Sequence, residues 1–395
     1  MYSEQCYKLG SNRSAIRELF EYGKQRAAIV GKENIYDFSL GNPTVPAPDC
    51  VKESIIEILN NSSSIEVHGY TSAQGDAELR AALATYYNTT YGTKFHADNY
   101  YITCGAAASL CICFKALTES AEDEFIAIAP FFPEYRAFVE GNGAKLRVVK
   151  PDTEHFQINM RELEESINEH TKGIVINSPN NPSGVVYSED TIKALASLLS
   201  AKSEEIGHPI FLISDEPYRE IVYDGVVVPY VTKYYANTIV CYSYSKSLSL
   251  PGERIGYVLV PDEVTDSRNV YYAMCGAARV LGFVCAPSLF QKALIKCIGQ
   301  VGDINQYKAN RDILYKGLTE LGYECVKPQG AFYMFVKAMG GDSAAFCEKA
   351  KELDLLLVAA DGFGCPGYVR ISYCVDKDMI ERSMMAFAKL AENFR

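Results

Sequence analysis

Residues 243–257 read Ser-Tyr-Ser-Lys-Ser-Leu-Ser-Leu-Pro-Gly-Glu-Arg-Ile-Gly-Tyr, so one lysine sits among four serines with an arginine eight residues on. The run before it, Thr238-Ile239-Val240-Cys241-Tyr242, is apolar and rich in β-branched residues, the pattern of a buried strand. Lys246 is thereby delivered just past a strand end, where open α/β sheets hold their ligands. A lysine taken out of water loses pKa readily and becomes an amine nucleophile. Ser243, Ser245 and Arg254 offer hydroxyl and guanidinium donors suited to a phosphate. An amine nucleophile beside a phosphate site points to pyridoxal 5′-phosphate held as a Schiff base. Taken alone, Ser-x-Ser-Lys fits a solvated lysine in a polar loop equally well.

Two more loops follow apolar runs. Gly173-Ile174-Val175-Ile176-Asn177 leads to Ser178-Pro179-Asn180-Asn181-Pro182-Ser183-Gly184, and Ile210-Phe211-Leu212-Ile213 leads to Ser214-Asp215-Glu216-Pro217-Tyr218. Three strand-end loops thus present, in order, an amide, a carboxylate with a phenol, and an amine. The motifs Asn181-Pro182-x-Gly184, Asp215-x-x-Tyr218, Ser243-x-Ser245-Lys246 and Arg254-x-Gly256 come in that sequence. Tyr70, the Cys104-Gly105-Ala106-Ala107 turn and Tyr368-Val369-Arg370-Ile371-Ser372 accompany them. Together they make the chain resemble the class I/II aminotransferases, fold-type-I pyridoxal-phosphate enzymes typified by aspartate aminotransferase. The resemblance runs from about Tyr36 to Arg370.

That resemblance implies roles. Lys246 would form the Schiff base and move a proton between the substrate Cα and the cofactor. Asp215 would keep the ring nitrogen protonated by opposite charge; a helix-capping Asp is the plain alternative. Glu216, next to it, is expected to point away from the ring. Asn181 and Tyr218 would hydrogen-bond the ring 3′-oxygen, although a turn-rich Asn-Asn-Pro-Ser-Gly needs no ligand to explain it. Free N–H groups at Gly105, Ala106 and Ala107, where a helix starts, would join Ser243, Ser245 and Arg254 on the phosphate. Ser109 lies one turn inside that helix and reads as structural. Phe132 would stack on the ring in a chain without tryptophan, with Tyr135 as a second aromatic of the pocket. Arg370, in an apolar strand, is costly unless it meets an anion. The resemblance makes that anion the substrate α-carboxylate; a structural ion pair is the alternative. Gly41 lies in the loop whose backbone approaches the same carboxylate. Tyr70 would reach the phosphate of a partner subunit, implying a homodimer with shared sites. Arg279 is a candidate for a distal substrate carboxylate across that interface, or for an ion pair with an Asp or Glu of this chain.

The elements that must position these groups alternate: strands over 100–103, 125–129, 173–177, 210–213 and 238–242, with helices over 106–117, 162–167 and 190–199. Alternation of this kind predicts a mostly parallel sheet between helices. Past Pro287 the style changes. Helices over 289–298, 306–321, 346–353 and 378–393 and strands over 330–336, 355–359 and 368–374 read as an α+β unit. The expected fold is α/β: a large domain with a mostly parallel seven-stranded sheet, and a smaller α+β domain. The expected boundaries are an N-terminal segment, 1–47, packing with the small domain, a large cofactor-binding domain, 48–285, and a small domain, 286–395.

Composition narrows the class. The 395 residues carry a net charge of −11, which disfavours nucleic acid and anionic membranes as partners. No apolar run approaches a membrane span, and Met1-Tyr2-Ser3-Glu4-Gln5 lacks the basic and apolar regions of a signal peptide, so a cytoplasmic protein is expected. The 13 cysteines show no CxxC pairs and the five histidines no i, i+4 pair, so no metal and mostly buried, reduced thiols are expected. The expected activity is transfer of an amino group from an L-amino acid to a 2-oxo acid. A carbon–sulfur β-lyase, decarboxylase or racemase on the same scaffold shares every cofactor motif. A non-enzymatic pyridoxal-phosphate-sensing domain is more remote, since only about 40 residues precede the matching region.

Overall fold

In the computed structural model, residues 1–11 and 15–394 are described. The twelve strands are β1 (Tyr36–Asp37), β2 (Tyr100–Thr103), β3 (Glu124–Ile128), β4 (Lys145–Val149), β5 (Thr171–Asn177), β6 (Phe211–Asp215), β7 (Thr238–Ser243), β8 (Gly256–Leu259), β9 (Tyr333–Lys337), β10 (Leu355–Leu356), β11 (Val358–Ala359) and β12 (Tyr368–Ser372). Seven of them form one sheet in the order β2-β8-β7-β6-β5-β3-β4. All neighbours are parallel except β8, which runs against both β2 and β7. β6 and β7 are buried along their whole length, which explains why they read as near-continuous apolar runs rather than alternating ones.

Helices cover the sheet and bury one stripe each. Glu189–Ile206 is capped by the Ser188 hydroxyl and stopped by Gly207 in the left-handed conformation, and it turns Ile192, Leu195, Ala196 and Leu199 inward. Its length exceeds the expected 190–199 because its later turns are polar and carry little apolar signal. Ala106–Leu117 differs: Gly105 precedes it and no side chain caps its first turn. Its leading N–H groups are left for something else.

The C-terminal unit is built on an antiparallel sheet, β11-β12-β9. Its core joins Tyr307, Leu314, Phe346, Ile371, Ile380 and Phe387 and begins at the helix Ile304–Glu320. Residues 286–298 belong elsewhere. Ala286, Leu294 and Cys297 pack into the tyrosine-rich core beneath β2 and β8. The expected helix over 289–298 also stops early, at Leu294. The expected strand over 355–359 is two: β10 pairs with β1, while β11 pairs with β12. The strand expected from Gly330 starts at Tyr333, after Ala331 takes a left-handed φ of 54°. The helix Ala15–Val30 places Ile16 and Leu19 against Phe335, Val358 and Phe363, tying the N-terminal segment to this unit.

Among the described residues no helix is long and apolar enough to cross a membrane. The 13 cysteines are free, but only Cys113, Cys241, Cys297, Cys365 and Cys374 are buried; seven are half-buried and Cys6 is exposed, fewer buried thiols than expected.

Candidate active site

The site lies where the carboxyl ends of β5, β6 and β7 sit side by side. Register pairs Asn177 with Asp215, and Asp215 with Cys241. Gly256 of β8 pairs with both Ser243 and Thr103, which draws the turn at Gly105 beside the Lys246 turn. A Cβ at Gly105 would stand 3.2 Å from Arg254 Nη2 and 3.3 Å from Ser243 Oγ, so the glycine, with φ 90°, leaves a small polar cradle open. Ser243 and Ser245 hydroxyls meet at 2.8 Å in that cradle. Arg254 holds a left-handed φ of 53° and donates through Nη1 to Pro251 O at 3.1 Å. Such strain in a non-glycine residue clusters at functional sites.

A cavity of about 290 Å³ opens above these strand ends. Gly41, Ala106, Ala107, Phe132, Asn181, Asp215, Tyr218, Ser243, Ser245, Lys246, Arg254 and Arg370 all line it. The separate motifs of the sequence therefore converge on one space. A larger cleft, about 530 Å³, between Arg80, His96, Asp262 and Tyr271 shares none of these residues.

Lys246 Nζ donates to Gly41 O at 2.6 Å and lies 5.4 Å from the Phe332 ring centre. Burial, aided by the nearby Arg370 and Arg254 charges, pulls its pKa down to about 8, so a neutral amine is accessible near neutrality. Asp215 is buried at the end of β6. Tyr135 Oη donates to its Oδ2 at 2.6 Å, while Oδ1 has no partner. Burial raises its pKa to about 7, the Tyr135 bond opposing and the Glu216 charge adding. An orphaned buried carboxylate oxygen is rare in a folded protein and asks for a donor from the cavity. Tyr135 is not a lining residue, contrary to expectation; it reaches Asp215 from behind. Glu216 does point away, accepting from Ser214 Oγ and pairing with Arg219.

Arg370 is 2% exposed and has no carboxylate partner among the described residues, so the ion pair offered as an alternative is not formed. Nη1 donates to Asn181 Oδ1 at 3.1 Å and Nη2 to Ser39 O at 2.6 Å, while Nε has no partner. Burial lowers its pKa without discharging it. With Arg254 and Lys246 it makes the cavity a place for anions. Asn181 is fixed by its own N–H to Asn177 Oδ1 at 2.7 Å. Ser109 bonds Thr103, Gly105 and Tyr257 away from the cavity, a structural role.

Two expected residues stand apart. Tyr70 is 97% exposed and does not line this cavity within one chain. Arg279 is exposed on the helix Ser267–Leu281, outside the cavity, and no Asp or Glu of the described residues pairs with it, because the helix carries no acidic residue and the guanidinium stands in water. The sequence reading also missed Tyr333, Asn177 and Ile16, all lining residues. Asn177 had a signal: it is the one amide ending an apolar strand, and its Nδ2 donates to Asp215 O at 2.8 Å.

A buried amine and an orphaned buried carboxylate at the strand ends of an α/β sheet, faced by a buried arginine of β12 with no carboxylate partner, are the features of an aminotransferase-type enzyme. The chain belongs to the aminotransferases of class I and II, whose family model matches residues 33–387. A solved amino transferase from Eubacterium rectale is 68% identical, covers 100% of this chain and 99% of its own, and superposes with a TM-score of 0.99. The aspartate aminotransferase of Pyrococcus horikoshii is 30% identical over 390 residues, 96% of this chain and 95% of its own. The probable aspartate aminotransferase of Methanocaldococcus jannaschii is 28% identical over 408 residues, 99% of this chain and 100% of its own.

Proposed function

We propose that this aminotransferase holds pyridoxal 5′-phosphate in the 290 Å³ cavity and passes an amino group from an L-amino acid to a 2-oxo acid by a ping-pong cycle. The observation that carries this is Asp215 Oδ1, buried and unpartnered in the same cavity as the Lys246 amine. A protonated ring nitrogen is the donor that would satisfy it and pull its raised pKa back down. When bound, the cofactor supplies an aldehyde for the amine and a ring that takes up the electron pair released at the substrate Cα.

This chain's residues do the rest. Lys246 Nζ, whose lowered pKa brings the neutral amine within reach, would remove the Cα proton and hold it for return. Asp215 keeps the ring nitrogen charged, with Tyr135 holding the carboxylate in place. The first N–H groups of the helix Ala106–Leu117, with Ser243, Ser245 and Arg254, bind the phosphate. Gly105 leaves the phosphate room in that cradle. Phe132 covers a ring face, and Asn181 and Tyr218 hold the 3′-oxygen. Arg370 and the Gly41 loop bind the α-carboxylate and orient Cα. Tyr70 completes the phosphate site of a partner, in a cytoplasmic homodimer.

The stoichiometry of a single half-reaction tests this. An amino acid without acceptor should release one equivalent of 2-oxo acid per site and stop, and a second 2-oxo acid should restart it. Continued product release without acceptor would mark a lyase instead.

A further inference from the structure

We propose that Tyr333 is the positioning residue that sets both the Arg370 fork and the Tyr218 hydroxyl, an inference that rests on the reading of the cavity given above. Tyr333 is the first residue of β9, buried, and lines the cavity. One side chain meets three functional elements. The Arg370 guanidinium carbon lies 4.7 Å from its ring centre. Its hydroxyl is 3.0 Å from Tyr218 Oη, with the two rings edge-to-face at 5.8 Å and 83°. A Cβ on Gly41 would fall 1.9 Å from Tyr333 Oη, so the phenol is seated on the very backbone whose carbonyl accepts from Lys246.

The ring supplies what Arg370 lacks. With no carboxylate partner, the guanidinium is held by two oxygens, Asn181 Oδ1 and Ser39 O, and by the faces of Tyr333 and Phe363. An aromatic face stabilises the cation without consuming an N–H, leaving Nε for an incoming anion. The hydroxyl does a second job. Two phenols carry two protons but share one hydrogen bond, so one proton remains to be donated. Both side chains line the cavity, so that proton is available to a ligand oxygen there. Tyr333 thereby polarises the phenol pair that meets the ligand oxygen. Burial lifts its own pKa to about 12, so the pair stays protonated through neutrality.

Two variants separate the roles. Tyr333→Phe keeps the ring under Arg370 and loses the hydroxyl. It should leave KM for the amino donor within about twofold, lower kcat by roughly fivefold, and move the pH–rate profile. Tyr333→Leu removes both and should raise that KM by a further factor of about ten. Unchanged kinetics in Tyr333→Phe, or an equal KM increase in both variants, would reduce Tyr333 to core packing and overturn the proposal. If Tyr333→Leu does not fold, the kcat loss and pH shift of Tyr333→Phe decide alone. Wild type that fails to exchange amino groups between donor and acceptor would sink the reading of the cavity instead, whatever the variants do.

Discussion

At the scale of single residues, two opposite pKa shifts share one cause. Burial lowers the pKa of Lys246 and raises that of Asp215, because both charged forms lose water in the same cavity. Lys246→Ala removes the only amine among the described residues that lines the cavity and should cut amino transfer by roughly 10⁴-fold or more, with the fold retained. A steady-state assay beside a circular-dichroism melt checks it; turnover within tenfold of wild type would contradict the role. Asp215 gives a second test, in the cofactor-free protein. Its carboxyl rises from 3.8 to about 7, so between those values the folded chain holds a proton that the unfolded chain has released. Its stabilising contribution is whole below about pH 4 and lost as pH rises to about 7, by at most ~4 kcal/mol. Urea titrations across pH 4–8 should show Asp215→Asn gaining on wild type as pH rises; parallel curves would refute the shift. Added pyridoxal phosphate should cancel the difference by giving the ionised carboxylate its partner. Residues such as Asp215 and Lys246 were legible because each is a polar group just after an apolar run. Tyr333 was not, because one phenol in Gly-Ala-Phe-Tyr-Met-Phe-Val reads as ordinary core.

Among elements, what the sequence showed best was the parallel part of the sheet, whose buried strands are continuous apolar runs ended by polar loops. What it showed worst was pairing. The run Leu355-Leu356-Leu357-Val358-Ala359 looks like one strand, yet β10 and β11 serve two sheets, a choice made by partners far away in the chain. Packing is similarly hard to read for Leu294 and Cys297, which are apolar enough for either core and sit in the tyrosine-rich one. The turn joining β2 to the helix Ala106–Leu117 is the element most open to test. Gly105 sits at φ 90°, and an added Cβ would crowd both Arg254 Nη2 and Ser243 Oγ. Gly105→Ala should lower stability by about 1–3 kcal/mol through backbone strain. It should also raise the Kd for pyridoxal phosphate about tenfold or more by filling the cradle. Equilibrium dialysis beside a thermal melt separates the two effects, and a lower Tm with unchanged Kd would mean the turn does not touch the phosphate.

At the scale of the whole molecule, one chain brings most of the expected site residues to one cavity, but not Tyr70 or Arg279. Tyr70 is 97% exposed, and Ile65, Tyr272 and Val280 are exposed apolar groups as well. A second copy of the chain is the partner proposed, with Tyr70 donating its hydroxyl to the phosphate held by the other subunit. Sedimentation should therefore give a dimer of about twice 43.7 kDa. Tyr70→Phe should weaken cofactor retention by roughly tenfold or more, the scale of one hydrogen bond to a charged group, while leaving each chain folded. The decisive experiment mixes Tyr70→Ala with Lys246→Ala under conditions that exchange subunits. If the sites are shared, the site built on the Lys246 chain of a mixed dimer receives its tyrosine from the Lys246→Ala chain and is intact. The other site carries both defects. Activity should then rise above that of either parent as mixed dimers form. If Tyr70 instead serves its own chain, mixing recombines nothing and activity stays at the average of the parents.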